Sequence, residues 1–259
     1  MIDSHCHLAD PAFAGDLDEV VRRAHDAGVS DGLCILAFGD AAESAQAARV
    51  RAAWPGVKFA IGVHPHQAHE FAGREGEVTA AVRSALSNEL GVRAIGEIGL
   101  DYHYDLSPRD VQREVFRAQV RLARETGLPV VVHAREADED TVSILRDEGA
   151  GEVRGIFHCF SGTEQLAREA LDLGFLLSFS GMVTFPKAQS IRTIAAEVPA
   201  DRLLAETDCP YLAPVPMRGR RNEPAFVART VATLAEVRRV AVNDLDRVMT
   251  SNFARLLGA

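Results

Sequence analysis

The chain has 259 residues, of which 47% are hydrophobic and 25% charged, a composition typical of a globular protein with a large core. No apolar run approaches the roughly 20 residues of a bilayer-spanning helix. The chain opens with Asp3 and two histidines rather than a signal peptide, so we expect a cytoplasmic protein without membrane contact. The net charge of −9 argues against a broad basic face, although it leaves room for a phosphate held in one cleft.

Short apolar runs alternate with segments of helical periodicity along the chain. The predicted strands are Met1–Ser4, Gly32–Ala37, Phe59–Val63, Arg93–Ile98, Pro129–Val132, Gly155–Phe157, Phe175–Phe179 and Arg202–Ala205. The predicted helices are Asp16–Ala27, Ala41–Ala53, Glu77–Glu89, Pro108–Thr126, Asp138–Glu148, Thr163–Leu173, Ala188–Val198, Glu223–Arg238 and Asn243–Leu257. Alternating strands and helices indicate a parallel sheet.

Eight such units in about 250 residues predict an α/β protein with a closed (β/α)8 TIM barrel. We expect one domain over residues 1–259. The alternative is a doubly wound open sheet, which usually carries a glycine-rich turn after its first strand. Histidines follow the first predicted strand instead.

Residues that bind metals or phosphate stand at the end of nearly every predicted strand. They are His5 and His7 after strand 1, His64 and His66 after strand 3, Glu97 in strand 4, His133 after strand 5, His158 after strand 6, and Glu206 and Asp208 after strand 8. The carboxyl ends of barrel strands meet on one face, where barrel enzymes carry their active sites. We therefore expect these side chains to converge.

Strand parity refines this set, because side chains two residues apart point to the same side. His5 and His7 should face together, with Cys6 turned away, and Glu206 should lie beside Asp208. No Cys-x-x-Cys pair occurs among the four cysteines, so we expect reduced thiols that serve as small apolar side chains.

The donor types favour a divalent cation such as zinc over magnesium or calcium, because imidazole accompanies carboxylate. A catalytic zinc typically takes three protein ligands. Four histidines and two carboxylates are enough for two ions if one carboxylate bridges them. Glu97 stands inside an apolar strand, where a carboxylate is costly unless it is paired or bound to metal. The glycines on either side of the Glu97–Ile98 pair suggest a close approach of neighbouring backbone.

Six segments resemble the TatD family of metal-dependent deoxyribonucleases and follow one another in the same order. They are Asp3–Leu8, Gly62–His66, Gly96–Tyr102, Val132–Ala137, His158–Gly162 and Glu206–Leu212. The resemblance implies a TIM barrel of the amidohydrolase kind with two divalent metal ions, zinc, manganese or magnesium. It implies that His5, His7, Glu97 and Asp208 bind the first ion. It implies that Glu97, His133 and His158 bind the second.

The resemblance also implies hydrolysis of DNA, commonly by 3′-to-5′ exonuclease action, with RNA or other esters as further substrates. Two ions would activate the attacking water, and Asp208 would take its proton. We expect Arg135, His64 or His66 to offset developing charge and Glu206 to orient a ligand. Arg218 is a candidate phosphate contact; it follows Met217, a position where many relatives have histidine.

Two other interpretations stay open. The first is an amidohydrolase-type enzyme acting on a small ester, amide or phosphotriester, whose relatives often bridge their metals with a carboxylated lysine. Lys58 is poorly placed for that role and Lys187 lies after strand 7. The second is a metal-binding protein without catalysis. No feature of the sequence predicts an obligate protein partner.

Overall fold

A computed structural model of the chain describes residues 1–87 and 91–258. Its eight parallel strands follow one another in sequence order around one sheet. The strands are β1 (Ile2–Cys6), β2 (Asp31–Ala37), β3 (Lys58–Gly62), β4 (Val92–Asp101), β5 (Val130–Arg135), β6 (Gly155–Phe157), β7 (Leu176–Phe179) and β8 (Leu203–Ala205). The helices are α1 (Leu17–Asp26), α2 (Ala41–Ala53), α3 (Val78–Leu86), α4 (Arg109–Thr126), α5 (Asp138–Gly149), α6 (Glu164–Asp172), α7 (Gln189–Glu197), α8 (Val227–Arg238) and α9 (Val242–Leu257).

The predicted (β/α)8 barrel is confirmed, and the element boundaries differ from prediction by a few residues. The largest difference is at α8, which begins four residues after the predicted start at Glu223. Strands β4 and β5 each continue three residues beyond their predicted ends at Ile98 and Val132. Helix α3 ends at Leu86; the last two residues of the predicted helix Glu77–Glu89 lie outside the described part of the chain. No helix in that part is long and apolar enough to cross a bilayer.

Hydrogen bonds around the ends of β8 and β1 join the two edges of the sheet. The amide of Asp208 donates to the carbonyl oxygen of His5 (2.9 Å), and the amide of His7 donates to that of Cys209 (2.8 Å). The barrel is therefore nearly closed, and the residues that follow β8 are held beside those at the end of β1.

Asp3 strengthens this junction from inside the barrel. Its carboxylate is fully buried and accepts hydrogen bonds from the amide (2.9 Å) and the hydroxyl (2.6 Å) of Thr207. Burial raises the pKa of Asp3 to about 8, against the opposing effect of the two Thr207 donors. A buried polar group thus links strands that lie at opposite ends of the sequence.

Helix α4 supports the ends of β3 and β4 with two buried glutamines. Gln119 accepts from the amide of Val63 (2.7 Å) and donates to its carbonyl oxygen (3.0 Å). Gln112 makes the equivalent pair with the backbone of Asp101 (2.8 and 3.1 Å). These bonds satisfy backbone groups of Val63 and Asp101, and they hold the strand ends that carry site residues.

The expected close approach at the glycines of β4 is confirmed. A Cβ atom added to Gly96 would lie 2.6 Å from the Cβ of Val131. At Gly99, which has a φ of 140°, an added Cβ would overlap the carbonyl oxygen of His133. Only glycine fits these positions, because β4 and β5 pack against each other without room for a side chain.

Candidate metal centre

One carboxylate, that of Glu97, contacts imidazoles with both of its oxygens. Glu97 lies in β4 and is 6% exposed. Its Oε2 is 3.4 Å from Nε2 of His5 and 3.9 Å from Nε2 of His7. Its Oε1 is 2.8 Å from Nδ1 of His133 and 2.7 Å from Nε2 of His158. Glu97 therefore stands between two pairs of histidines, with one oxygen facing each pair.

The first pair of histidines shares a second carboxylate. The Nε2 atoms of His5 and His7 are 3.1 Å apart. Oδ1 of Asp208 lies 3.6 Å from Nε2 of His5 and 3.4 Å from Nε2 of His7. Asp208 has a φ of 57°, and such strained residues cluster at functional sites.

The second pair lies on the other side of Glu97. Nδ1 of His133 and Nε2 of His158 are 3.3 Å apart, and both face Oε1 of Glu97. The ring of His158 stacks on that of His5 with 3.9 Å between centroids. The two pairs are therefore in direct contact. We call these six residues the His–carboxylate cluster: His5, His7, Glu97, His133, His158 and Asp208.

Asp101 fixes the orientation of His133, although the sequence analysis gave it no role. Its Oδ2 is 2.9 Å from Nε2 of His133 and 3.0 Å from Nε2 of His66. Asp101 ends β4, four residues after Glu97 and on the same side of the strand. That parity was the signal in the sequence that could have identified it.

Glu206 contacts the cluster on the side of His158 that faces away from Glu97. It is fully buried, its Oε1 accepts from the amide of Cys159 (2.7 Å), and the same oxygen lies 3.4 Å from Nδ1 of His158. Nε2 of His158 faces Glu97. Glu206 is therefore placed to orient the His158 imidazole rather than to meet a substrate.

Burial and mutual attraction shift several pKa values in the cluster in opposite directions. Burial lowers the pKa of His5. Burial also acts on His7, but the Asp208 carboxylate outweighs it and raises the pKa of His7 to about 9. For Glu97, burial opposes ionisation, yet the nearby imidazoles hold its pKa well below the usual range. The carboxylates are thus ionised at neutral pH.

The donor set fits divalent cations. The atoms of His5, His7 and Glu97 that could bind a cation lie within 4.8 Å of one another. Facing imidazole nitrogens and a shared carboxylate oxygen are the geometry of a zinc-type site. Among the described residues, the ion pairs of Glu97 and Asp208 involve imidazoles rather than lysine or arginine. Metal binding would neutralise these buried carboxylates.

Comparison with known proteins identifies the family. A family model described as TatD related DNase matches residues 2–258. The chain belongs to the TatD family. It is 41% identical over 256 residues to the uncharacterized metal-dependent hydrolase YabD of Bacillus subtilis, covering 99% of this chain and 98% of YabD. The protein is accordingly a metal-dependent hydrolase.

Other relatives extend this comparison. The 3′-5′ ssDNA/RNA exonuclease TatD of Erwinia tasmaniensis is 37% identical over 262 residues, with 99% of each chain covered. The crystal structure of YJJV, a TatD homologue of Escherichia coli, has a TM-score of 0.88 and 28% identity, covering 100% of this chain and 98% of YJJV. The organophosphorus hydrolase of Deinococcus radiodurans shares the fold. Its TM-score is 0.74 and its identity 18%, covering 99% of this chain and 92% of the hydrolase.

Two further histidines line this TatD-family site after β3. Nδ1 of His64 accepts from the amide of His66 (3.1 Å), so Nε2 carries the hydrogen that points to Oε1 of Glu97, 3.2 Å away. Burial lowers the pKa of His64 to about 4, so its imidazole is neutral at pH 7. His66 lies one step further out, against Asp101.

The two arginines identified in the sequence lie on the rim rather than in the cluster. The guanidinium of Arg135 lies over the ring of Tyr104, 4.7 Å from its centroid. That of Arg218 lies over the ring of Phe185 at 4.0 Å. Met217, next to Arg218, is half-buried in the loop after β8.

The cysteines are free thiols. Three of them, Cys6, Cys34 and Cys209, are fully buried. Sγ of Cys6 donates to the carbonyl oxygen of Leu33, which places it on the side of β1 that faces β2. Cys159 is less buried, and its Sγ lies 3.2 Å from the hydroxyl of Ser180. Their environment is that of small core side chains.

A cavity of about 700 Å³ opens on the same face of the barrel, between the beginnings of α5 and α6 and the first two turns of α7. Its lining includes Tyr102 and five carboxylates but no lysine or arginine. The acidic residues are Glu136, Asp138, Glu139, Asp140 and Glu164. The cavity itself is therefore unfavourable for a phosphate backbone.

Proposed function

We propose that this protein is a two-metal phosphodiesterase that removes nucleotides from the 3′ end of single-stranded DNA, with RNA as a second substrate. The observation that carries the proposal is the position of Glu97, whose two oxygens face two separate histidine pairs. A bridging carboxylate of this kind suits two neighbouring divalent ions, with zinc, manganese or magnesium as the candidates. The relative from Erwinia named as a 3′-5′ ssDNA/RNA exonuclease supports the substrate class.

The residues divide between two cation sites that share Glu97. His5, His7 and Asp208 would hold the first cation, and His133 and His158 would hold the second. When bound, the two ions would lower the pKa of the attacking water and offset charge on the phosphoryl oxygens. His64 would stay outside both sets, because its Nε2 carries a hydrogen.

The protein's own side chains would move the proton and offset charge. The imidazole of His7 lowers the pKa of Asp208 against the effect of burial, so its carboxylate is ionised and can accept the proton that water loses. Neutral His64 can donate its Nε2 hydrogen to a phosphoryl oxygen. Glu206 would orient His158, and Arg135, His66 and Arg218 would contact the substrate from the rim.

The alternative is hydrolysis of a small ester, amide or phosphotriester on the same barrel. Neither lysine supports a carboxylated-lysine bridge. Lys58 begins β3, at the far end of the barrel, and pairs with Asp31 (3.0 Å), while Lys187 is exposed. Glu97 would supply the bridging carboxylate in its place, which favours the nuclease.

The test is an activity panel of single-stranded DNA, duplex DNA, RNA and small esters, each with zinc, manganese or magnesium. Wild type should shorten single-stranded DNA from its 3′ end. Glu97→Ala should abolish turnover and lower the metal content while circular dichroism shows an intact fold. Glu152→Ala, an exposed glutamate in the turn before β6, is the matched control and should keep full activity. Cleavage of only a non-nucleic ester, or full activity of Glu97→Ala, would contradict the proposal.

A further inference from the structure

The two sides of the His–carboxylate cluster differ in charge. On one side, after β4 to β6, lie the cavity with five carboxylates and a single arginine of β5, Arg135, which is stacked on Tyr104. On the other side, the loops after β7 and β8 expose Lys187, Arg218 and Arg220. A polyanion that reaches the cluster would run along the second side, because cationic groups attract phosphate. We call this second side the β7–β8 rim, made of Phe185, Lys187, Tyr211, Arg218 and Arg220.

Tyr211 is an exposed aromatic ring immediately beside the cluster. Its side chain is 57% exposed, and its ring lies edge-on to that of His7 with 6.1 Å between centroids. Two hydrogen bonds hold its backbone in place. The backbone amide of Tyr211 donates to the carbonyl oxygen of Asp208 (2.9 Å), and its carbonyl oxygen accepts from the side-chain amide of the buried Asn222 (2.6 Å). A rigid, exposed ring in this place contributes little to the core.

The loops that carry the rim are tied to each other. The amide of Val215 donates to the hydroxyl of Thr184 (2.9 Å), which joins the loop after β8 to the loop after β7. The Arg218 guanidinium lies over the ring of Phe185, at 4.0 Å from the ring centroid. The loop after β8 therefore carries both the exposed ring of Tyr211 and the positioned cation of Arg218.

The exposed tyrosine on the acidic side differs from Tyr211. Tyr104 is 54% exposed, but the Arg135 guanidinium lies over its ring at 4.7 Å. One face of Tyr104 is thus already covered. No cation is recorded over the ring of Tyr211 among the described residues.

We infer that Tyr211 is a stacking platform for a nucleobase of the single strand whose 3′-terminal phosphodiester lies at the His–carboxylate cluster. Base–aromatic stacking tolerates any sequence, since every base has a π-face. The ring of Tyr211 would stack on an unpaired base, and Arg218 would contact a neighbouring phosphate. This inference rests on the proposed nuclease function and adds the group by which the enzyme recognises an unpaired end.

The experiment compares two oligonucleotides that differ only in the 3′-terminal base. One carries a normal 3′ nucleotide and the other an abasic residue, and kcat/KM for the first cleavage is measured with manganese-loaded enzyme. Wild type should favour the base-bearing substrate. Tyr211→Ala should lower that preference about tenfold, in line with the strength of stacking on aromatic side chains, whereas Tyr211→Phe should keep it.

Tyr104→Ala is the matched control. The ring of Tyr104 contacts Arg135 and His66, which the two substrates would meet equally, so this variant should change both rates by the same factor. A uniform loss on both substrates in Tyr211→Ala, or no loss at all, would overturn the inference.

A second readout needs no turnover. A 2-aminopurine base at the 3′ end should lose fluorescence when it stacks on the ring in wild type and Tyr211→Phe, and keep it in Tyr211→Ala. If wild type quenches the fluorescence but cleaves neither oligonucleotide, the proposed function fails and the platform stands. If wild type cleaves the base-bearing strand without quenching, the platform fails and the function stands.

Discussion

Oδ2 of Asp101 lies 2.9 Å from Nε2 of His133, on the side of the imidazole that faces away from Glu97. The Asp101 carboxylate accepts the Nε2 hydrogen, so Nδ1, which lies beside Glu97, is the nitrogen of His133 that can give up its proton and bind a cation. A carboxylate that fixes the tautomer of a ligating histidine raises its basicity and its affinity for metal. Asp101 thereby acts on the site through His133.

Replacement of Asp101 by asparagine should weaken metal binding at the second site. The amide cannot accept as strongly, so the His133 imidazole loses its fixed tautomer. Removing such a partner typically costs 10–100-fold in metal affinity or activity, and the loss should appear in a metal titration followed by turnover. Asp105→Asn is the control, because Asp105 is an exposed residue of the same loop that pairs with Arg109. Equal metal affinity in Asp101→Asn and wild type would contradict this role.

Metal binding at pH 7 should release protons. The pKa of His7 is raised to about 9, and the carboxylates also outweigh burial in raising the pKa values of His133 and His158. At pH 7, His7 and His158 are therefore protonated in the metal-free protein, and a cation must displace their protons. The apparent affinity for manganese should therefore rise as the pH increases from 6 towards 9.

The measurement is calorimetric titration in two buffers of different ionisation enthalpy. The observed heat should differ between them, and His7→Asn should release fewer protons than wild type. Identical heats in both buffers would show that the histidines are already neutral.

Arg218→Ala should weaken binding of a phosphorothioate single strand and lower the salt dependence of that binding. Loss of one phosphate contact on a single strand lowers the slope of log affinity against log salt by about 0.7. Fluorescence anisotropy at several salt concentrations measures that slope. Arg247→Ala, an exposed arginine of α9, should leave both affinity and slope unchanged. An unchanged slope in Arg218→Ala would remove this residue from the phosphate path.

Glu148→Gln should destabilise the protein at neutral pH, and this destabilisation should become smaller in acid. Glu148 joins α5 to α4 through Arg121 (2.7 Å) and Arg117 (3.1 Å), and these cations lower its pKa from 4.5 to about 2. A carboxylate with a lowered pKa stabilises the fold above about 4.5, and this contribution disappears as the pH falls towards 2.

Solvent screens the ion pairs of Glu148 with Arg121 and Arg117. Glu148→Gln should therefore lower the free energy of unfolding by about 1 kcal/mol at pH 7. Urea unfolding at pH 7 and at pH 3 gives the two values. Asp147→Asn, an exposed neighbour 4.0 Å from Arg117, is the control and should have a smaller effect. If the free energy of unfolding differs between wild type and Glu148→Gln by the same amount at both pH values, the lowered pKa of Glu148 does not stabilise the fold.

Several parts of this protein were predictable from local sequence. The alternation of strands and helices predicts the barrel because each pattern reflects which faces are buried. The His5-x-His7 spacing predicts that both imidazoles lie together, and their Nε2 atoms are 3.1 Å apart. The glycines of β4 predict the close backbone approach at Gly96 and Gly99.

Other features required the tertiary structure, since they depend on which oxygen or nitrogen faces which neighbour. Sequence marks Glu97 as a costly buried carboxylate, but only the packing of four strands shows that its two oxygens face different histidine pairs. The contact of Asp101 with His133 and the junction between Asp3 and Thr207 join residues far apart in sequence.

The sequence by itself thus determined the barrel and the residue types at its strand ends, because strand and helix periodicity is local. The tertiary structure decided that each oxygen of Glu97 faces a different histidine pair, and that the ring of Tyr211 is open whereas that of Tyr104 is covered by Arg135. These distinctions arise from distances and covering groups across the barrel, which no local pattern contains.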